Sequence, residues 1–387
     1  MSLGKTLLSS PPRARPRVLL RCPATPARAT LRSTRMSEAA LAAQRAEDAA
    51  LNARCAASPR EAAQYAATLR RTPHAMKVTW LFNSAVSNHA TLVRLGLADG
   101  LSPNTVDDAG QSLLRAAAGR GSIDVVRLLL EAGADANSAD DHGNTPLQHA
   151  IGHGKLACAR ELMPHTDLLH FNASGNSALH NSIIANQPEI FKLLLPHFAD
   201  NIDVRTIKPR SSAVTDGPFN ATPLLLACEG GRHAMVKAML AAGASRTAHD
   251  TYSVSCLHVA AYDGHLACVM LLIGRPENQK MSPADTDARN EFGATPLYLA
   301  AQNGHRYCCA ALLAAGADVS LADCVGDTAL DLARHYHPGN KELIELLECR
   351  GGGPAPLLCA GCGASDKRLR ACSACGSVSF CGAACLA

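Results

Sequence analysis

Aromatic side chains are scarce in this chain of 387 residues: Phe, Tyr and Trp together make up 4% of it, with a single Trp at position 80. A chain this long exceeds what one compact core usually holds. With so few rings it is better suited to many small packing layers than to one large mixed interior. Long apolar runs are also missing. None approaches the roughly 18 residues of a membrane span, so no membrane partner is expected. No Ser/His/Asp order, phosphate-cradling glycine loop or paired-carboxylate motif stands out, and neither an enzyme nor a small-molecule substrate is expected.

Acidic residues are absent from one end. Residues 1 to 35 carry eight Lys or Arg and no Asp or Glu, so a formal net charge of +4 for the whole leaves the remainder at −4. A mildly acidic body argues against nucleic acid along its length, because phosphate neutralisation needs clustered positive charge. Segment 1–36, rich in Arg and Ser, reads in three ways: an organelle transit peptide, a disordered basic tail, or sequence upstream of a second start at Met36. The expected location is cytoplasmic or nuclear, or an organelle if that segment is an address.

What is abundant is repetition. Between Glu291 and Asp323 the chain reads EFGATPLYLAAQNGHRYCCAALLAAGADVSLAD: a Thr-Pro opens a short apolar helix, Gly-His closes a turn, and a second apolar helix ends in Gly-Ala-Asp. Helices of about two turns do not stand alone in water. Copies of the unit recur at Thr79, Ser112, Thr145, Ser177, Thr222, Ser255, Thr295 and Thr328, at intervals of 33, 33, 32, 45, 33, 40 and 33. A period near 33 with a T-P-L-H-x-A signature resembles the ankyrin family. The resemblance predicts a mainly α fold, an ankyrin-repeat solenoid of about eight helix-turn-helix units over 79–350, entered through a helical extension over 37–78.

Individual positions refine this reading. The first repeat has Trp80 in place of Pro and Asn88 in place of the turn Gly, as befits a terminal unit with one open side. Gly133, Gly243 and Gly316 stand where a left-handed helix cap is wanted. Two repeats end in Pro-His, at Pro164 and Pro196, where a helix cannot continue. The longer intervals mark insertions, one before Phe219 and one around Arg275 to Asp287, expected as loops on one face. His180 and His258 occupy the T-P-L-H position and His265 and His305 follow the turn glycine, so they are read as structural bonds between repeats. Ten scattered cysteines, Cys158, Cys228, Cys268 and Cys308 among them, are read as reduced thiols. Asp141, His142 and Phe292, at the tips between repeats, are the expected partner contacts.

Beyond a Gly/Pro linker at 351–358 the chemistry changes. Residues 359–387 hold Cys359, Cys362, Cys372, Cys375, Cys381 and Cys385. Two residues between paired thiols let both sulfurs reach one ion, and four thiolates close a tetrahedral Zn2+ site. The ligand order, with Phe380 directly before Cys381, resembles the MYND-type zinc finger. That resemblance implies two interleaved sites: Cys359, Cys362, Cys381 and Cys385 on one zinc, Cys372 and Cys375 giving half of the other. The family's remaining His and Cys would lie past Ala387, so an incomplete finger and a truncated chain are expected, with one complete zinc site.

Together the two resemblances imply a protein-protein interaction scaffold or adaptor. The repeats would hold one protein and the finger a second, through a Pro-containing peptide. The alternative is a regulatory or targeting component associated with a protein methyltransferase or a transcriptional complex. No residues remain to build a methyltransferase domain around the finger.

Overall fold

A computed structural model describes residues 38–107, 110–207, 220–274 and 283–348. Among them are helices and connecting turns, with isolated bridges but no strands. Two helices lead in, α1 (Glu38–Ala57) and α2 (Pro59–Arg71). Eight helical hairpins follow: α3 (His74–Val86) with α4 (Ala90–Ala98), α5 (Leu113–Arg120) with α6 (Ile123–Glu131), α7 (Pro146–Gly152) with α8 (Leu156–Leu162), and α9 (Ala178–Ile184) with α10 (Pro188–Leu194). Next come α11 (Pro223–Glu229) with α12 (His233–Ala241) and α13 (Cys256–Tyr262) with α14 (Leu266–Ile273). After a short helix α15 (Pro283–Thr286) stand α16 (Pro296–Gln302) with α17 (Arg306–Ala314) and α18 (Ala329–Tyr336) with α19 (Lys341–Glu348).

The repeating Thr or Ser explains where the inner helices start. Ser112, Thr145, Thr222, Thr295 and Thr328 each take the N-terminal cap, the side-chain oxygen accepting an amide that has no partner within the helix. Pro at the next position fits a place where no N–H is needed. The first repeat departs from this. Its α3 begins at His74, and Thr79 lies inside it with its hydroxyl bonded to the Ala75 carbonyl at 3.1 Å. With Trp80 where later repeats carry Pro, the helix runs back a further turn to Pro73. The register still holds, because Asn88 adopts the left-handed turn conformation that the glycines supply elsewhere, at φ 59°. Gly133 has φ 82°, and an added Cβ there would meet nothing within 4 Å, so conformation alone demands the glycine.

Each hairpin packs only on its neighbours. Inner helices succeed one another from α3 through α5, α7, α9, α11, α13 and α16 to α18, and their buried Leu, Ile, Val and Ala side chains join into one continuous core. On α6 the buried face comprises Val125, Val126 and Leu129, with Ile123 and Leu130 half-covered. Helices α1 and α2 lie against α4. There Trp80 packs on the core with its ring 5.6 Å from that of Tyr65. At the far end α19 buries Leu343 and Leu347 and turns its charges outward. Both Pro-His endings close as 3-10 turns, at Met163–His165 and Leu195–Asn201. Cys158, Cys228, Cys268 and Cys308 are buried in the core, as the apolar reading of those positions requires. Burial pushes the Cys268 thiol up to about 11 and that of Cys308 to about 12, which keeps them protonated and inert.

Candidate functional site

The tips between hairpins form a face of their own. Five tips begin with an Asp or Asn whose side-chain oxygen accepts backbone N–H groups two and four residues on: Asp140, Asn172, Asp250, Asn290 and Asp323. These Asx turns hold the tip rigid without a sheet. Neighbouring tips then bond through the backbone, Ala173 N–H to the His142 carbonyl at 2.8 Å, Ile207 to Gly175 at 3.1 Å, Glu291 to Tyr252 at 3.1 Å and Cys324 to Phe292 at 3.0 Å. The result is a pre-ordered row that loses little entropy on meeting a partner.

Asp141, His142 and Phe292 all stand exposed on this row, Phe292 at 46%. Two further exposed apolar tip residues, Ile207 and Val325, were not picked out by the sequence, and the tip after Phe292 carries Val325 at 68% exposed. The tip row is therefore polar around Asp141 and His142 and apolar around Phe292 and Val325. Their position four or three residues before the capping Thr is the signal that would have found Val325.

The structural role of the histidines is visible in atoms. His258 accepts the Ser255 amide at Nδ1, while its Nε2 meets the Ala294 carbonyl of the next repeat at 3.1 Å. His180 repeats the cap on Ser177, but its Nε2 makes no well-formed hydrogen bond. Burial lowers both imidazoles to about 4, so they are neutral at ordinary pH. In the third repeat Gln148 does the same work, accepting the Thr145 amide through Oε1 at 3.0 Å and donating to the His170 and Asn176 carbonyls. After the turns, His265 and His305 reach back to the Glu229 and Tyr262 carbonyls of the preceding repeat, each at 3.0 Å. Ser122 and Arg232, at the equivalent position, reach Val86 and Ile184.

One polar cluster on the inner row escaped the sequence reading. Asp140 Oδ2 lies 2.8 Å from His149 Nε2 and 3.2 Å from Arg115 Nε, with all three side chains largely covered. Burial opposes the Asp140 charge, but the His149 hydrogen bond, the Asn144 amide and the Arg115 charge outweigh it and hold the carboxyl below its ordinary value. Among the described residues no group of three or more His, Cys, Asp or Glu is placed to hold a metal ion, and no helix is long and apolar enough to cross a membrane. Cys359, Cys362, Cys372, Cys375, Cys381 and Cys385 lie outside the described residues, as do segment 1–36 and most of the insertion before Phe219.

A family model described as ankyrin repeats in three copies matches residues 81–169, 113–208, 207–283 and 277–353. The chain belongs to the ankyrin-repeat family. Among curated proteins it is similar to a putative E3 ubiquitin-protein ligase XBAT31 of Arabidopsis thaliana, 32% identical over 39% of this chain and 32% of that one. It is also similar to the human protein phosphatase 1 regulatory subunit 27, 35% identical over 24% of this chain and 55% of that one. A third similarity is to the oxysterol-binding protein-related protein 1 of Rattus norvegicus, 37% identical over 24% of this chain and 10% of that one. The matched part thus spans well under two thirds of each of these relatives. Among solved structures, the ankyrin repeat domain of Bcl-3 is 26% identical with a TM-score of 0.44, over 69% of this chain and 97% of that one.

Proposed function

We propose that this ankyrin-repeat protein is an adaptor whose stack holds one protein partner while its C-terminal cysteine segment holds a second. The observation that carries the first half is the row of tips locked to one another by backbone hydrogen bonds, with Phe292 and Val325 standing out of it. A rigid surface that carries exposed apolar side chains on its last two tips and polar ones toward its other end offers a protein partner both kinds of contact. Ankyrin-repeat relatives named as a phosphatase regulatory subunit and a putative ubiquitin ligase support a role in bringing proteins together.

The second half rests on sequence spacing. Cys359, Cys362, Cys381 and Cys385 would hold one Zn2+ and Cys372 with Cys375 half of another, in a MYND-type finger that takes a Pro-containing peptide. Metal analysis of the purified chain is expected to give one tightly held zinc, lost on Cys359→Ser; retention of zinc by that variant would sink the assignment. Capture from cell extract with the full chain and with a chain ending at Arg350 tests the adaptor reading. One set of partners is expected to survive the truncation and another to vanish; an identical set from both would leave the segment without a binding role.

A further inference from the structure

Asp140, Asp250 and Asp323 hold the same place, five residues ahead of the capping Thr or Ser of their repeats, and one oxygen of each closes the tip. The other oxygen differs. Asp140 Oδ2 meets Arg115 and His149, and Asp323 Oδ2 accepts from the Tyr298 hydroxyl at 2.7 Å. Arg115 and Tyr298 both stand three residues after the cap of the preceding repeat, on its inner helix. The residue in that place before Asp250 is Leu225, and the one matching His149 is Val259. Asp250 is only 2% exposed, yet its Oδ2 has no hydrogen-bond partner. Asp140 and Asp323 show where such an oxygen faces, toward the inner-helix row. A buried carboxylate oxygen without a donor is costly, and a fold that supplies the donor elsewhere omits it here.

Two more carboxylates share this stretch of the inner row. Glu229 ends α11 and Asp263 follows α13, and neither has an ion pair among the described residues. Glu229 feels the charges of both Asp263 and Asp250, and burial raises all three carboxyls above their ordinary values. Arg232, the cation that favours the charged form of Glu229, is already bonded to the Leu226 and Ile184 carbonyls. Arg232 offsets one of these charges, and His265 and His305 lie beside Asp263 and His249 beside Asp250, so three carboxylates share this stretch with one permanent cation.

We propose that the inner-helix surface between the fifth and sixth repeats receives a cationic side chain, Arg or Lys, from a partner protein, gripped by Glu229 and Asp263 with Asp250 beside Glu229. This rests on reading the stack as a protein-binding face and names the chemistry of its partner. A segment long enough to reach from this site to the exposed Phe292 on the next tip is basic with an aliphatic residue further along.

The test is selection of random dodecapeptides displayed on phage against the full chain, followed by affinity measurement of a recovered synthetic peptide. Enrichment of Lys or Arg beside aliphatic residues is expected, with affinity falling about tenfold in Glu229→Gln and in Asp263→Asn and falling again with salt. Both substitutions relieve mutual repulsion, so a folded, equally stable variant that no longer binds is the supporting outcome. Recovered peptides without basic residues, or binding that ignores both substitutions, would overturn the cationic site while leaving a protein-binding stack intact. Failure to recover any peptide would count against both. Displacement of the peptide by a synthetic copy of residues 1–35 would overturn a partner protein as the occupant, in favour of the chain's own basic segment.

Discussion

Asp140 and Asp250 occupy one place in two repeats and differ in what surrounds them. Around Asp140, Arg115 and His149 close a network that the fold completes for itself. Around Asp250, Leu225 and Val259 offer no donor, and Glu229 and Glu291 add charge of the same sign. A repeat needs only its cap, its turn and its apolar positions to stack. Side chains between these are released from the fold's demands, and a charge left unanswered there serves something other than stability. Gln148 against His180 and His258 teaches the converse: one structural job done by different chemistry, with different consequences for pH.

That second contrast carries the largest expected effect. His180 and His258 are held near 4 when folded, while an unfolded imidazole titrates near 6.5. Between those values the unfolded chain binds protons that the folded one refuses, so stability is full above about pH 6.5 and falls as pH drops toward 4. Each histidine contributes about 1.4 kcal/mol per pH unit. Urea denaturation across that range is expected to show the decline, and His180→Gln with His258→Gln, copying Gln148, to flatten most of it. An unchanged slope would mean that the pair is not the source.

Next in size is Asp140→Asn. It keeps the turn's acceptor but sets an amide against Arg115 and His149, and a loss of about 2 kcal/mol in urea denaturation is expected. Gly133→Val, which forces a β-branched residue to φ 82°, is expected to lower Tm by several degrees, corresponding to about 1 to 2 kcal/mol. The smallest effect is Asp250→Asn, which keeps the turn and removes an unanswered buried charge. Its stability is expected to be unchanged or raised by up to about 1 kcal/mol. Were Asp250→Asn to cost as much as Asp140→Asn, the contrast between the two repeats would fail.

Much of the architecture was legible in the residues. Each repeat carries its own start and stop signals, and spacing alone located all eight hairpins and the left-handed Gly133. The first repeat misled in one respect. Thr79 keeps the register, but without a following Pro its helix runs back to His74. Of the contact residues expected at the tips, Asp141, His142 and Phe292 are exposed, and the reading missed Val325, whose position was available by alignment. Arg115, His149 and Asp140 went unseen because their residues lie 9 to 34 positions apart in different repeats, and nothing local marks them as a group.

The sequence by itself determined that this chain would be a stack, because period, caps and turn residues act within a few positions of one another and each helix pair can bury its apolar side only on a copy. It also carries the paired thiol spacing on which the zinc proposal stands. Only the tertiary structure decided which tip residues line up into one face, which buried imidazoles remain neutral, and that Asp250, unlike Asp140 and Asp323, keeps one carboxylate oxygen without a donor. Those properties depend on contacts between successive repeats, where a side chain's surroundings are set by residues some thirty positions away.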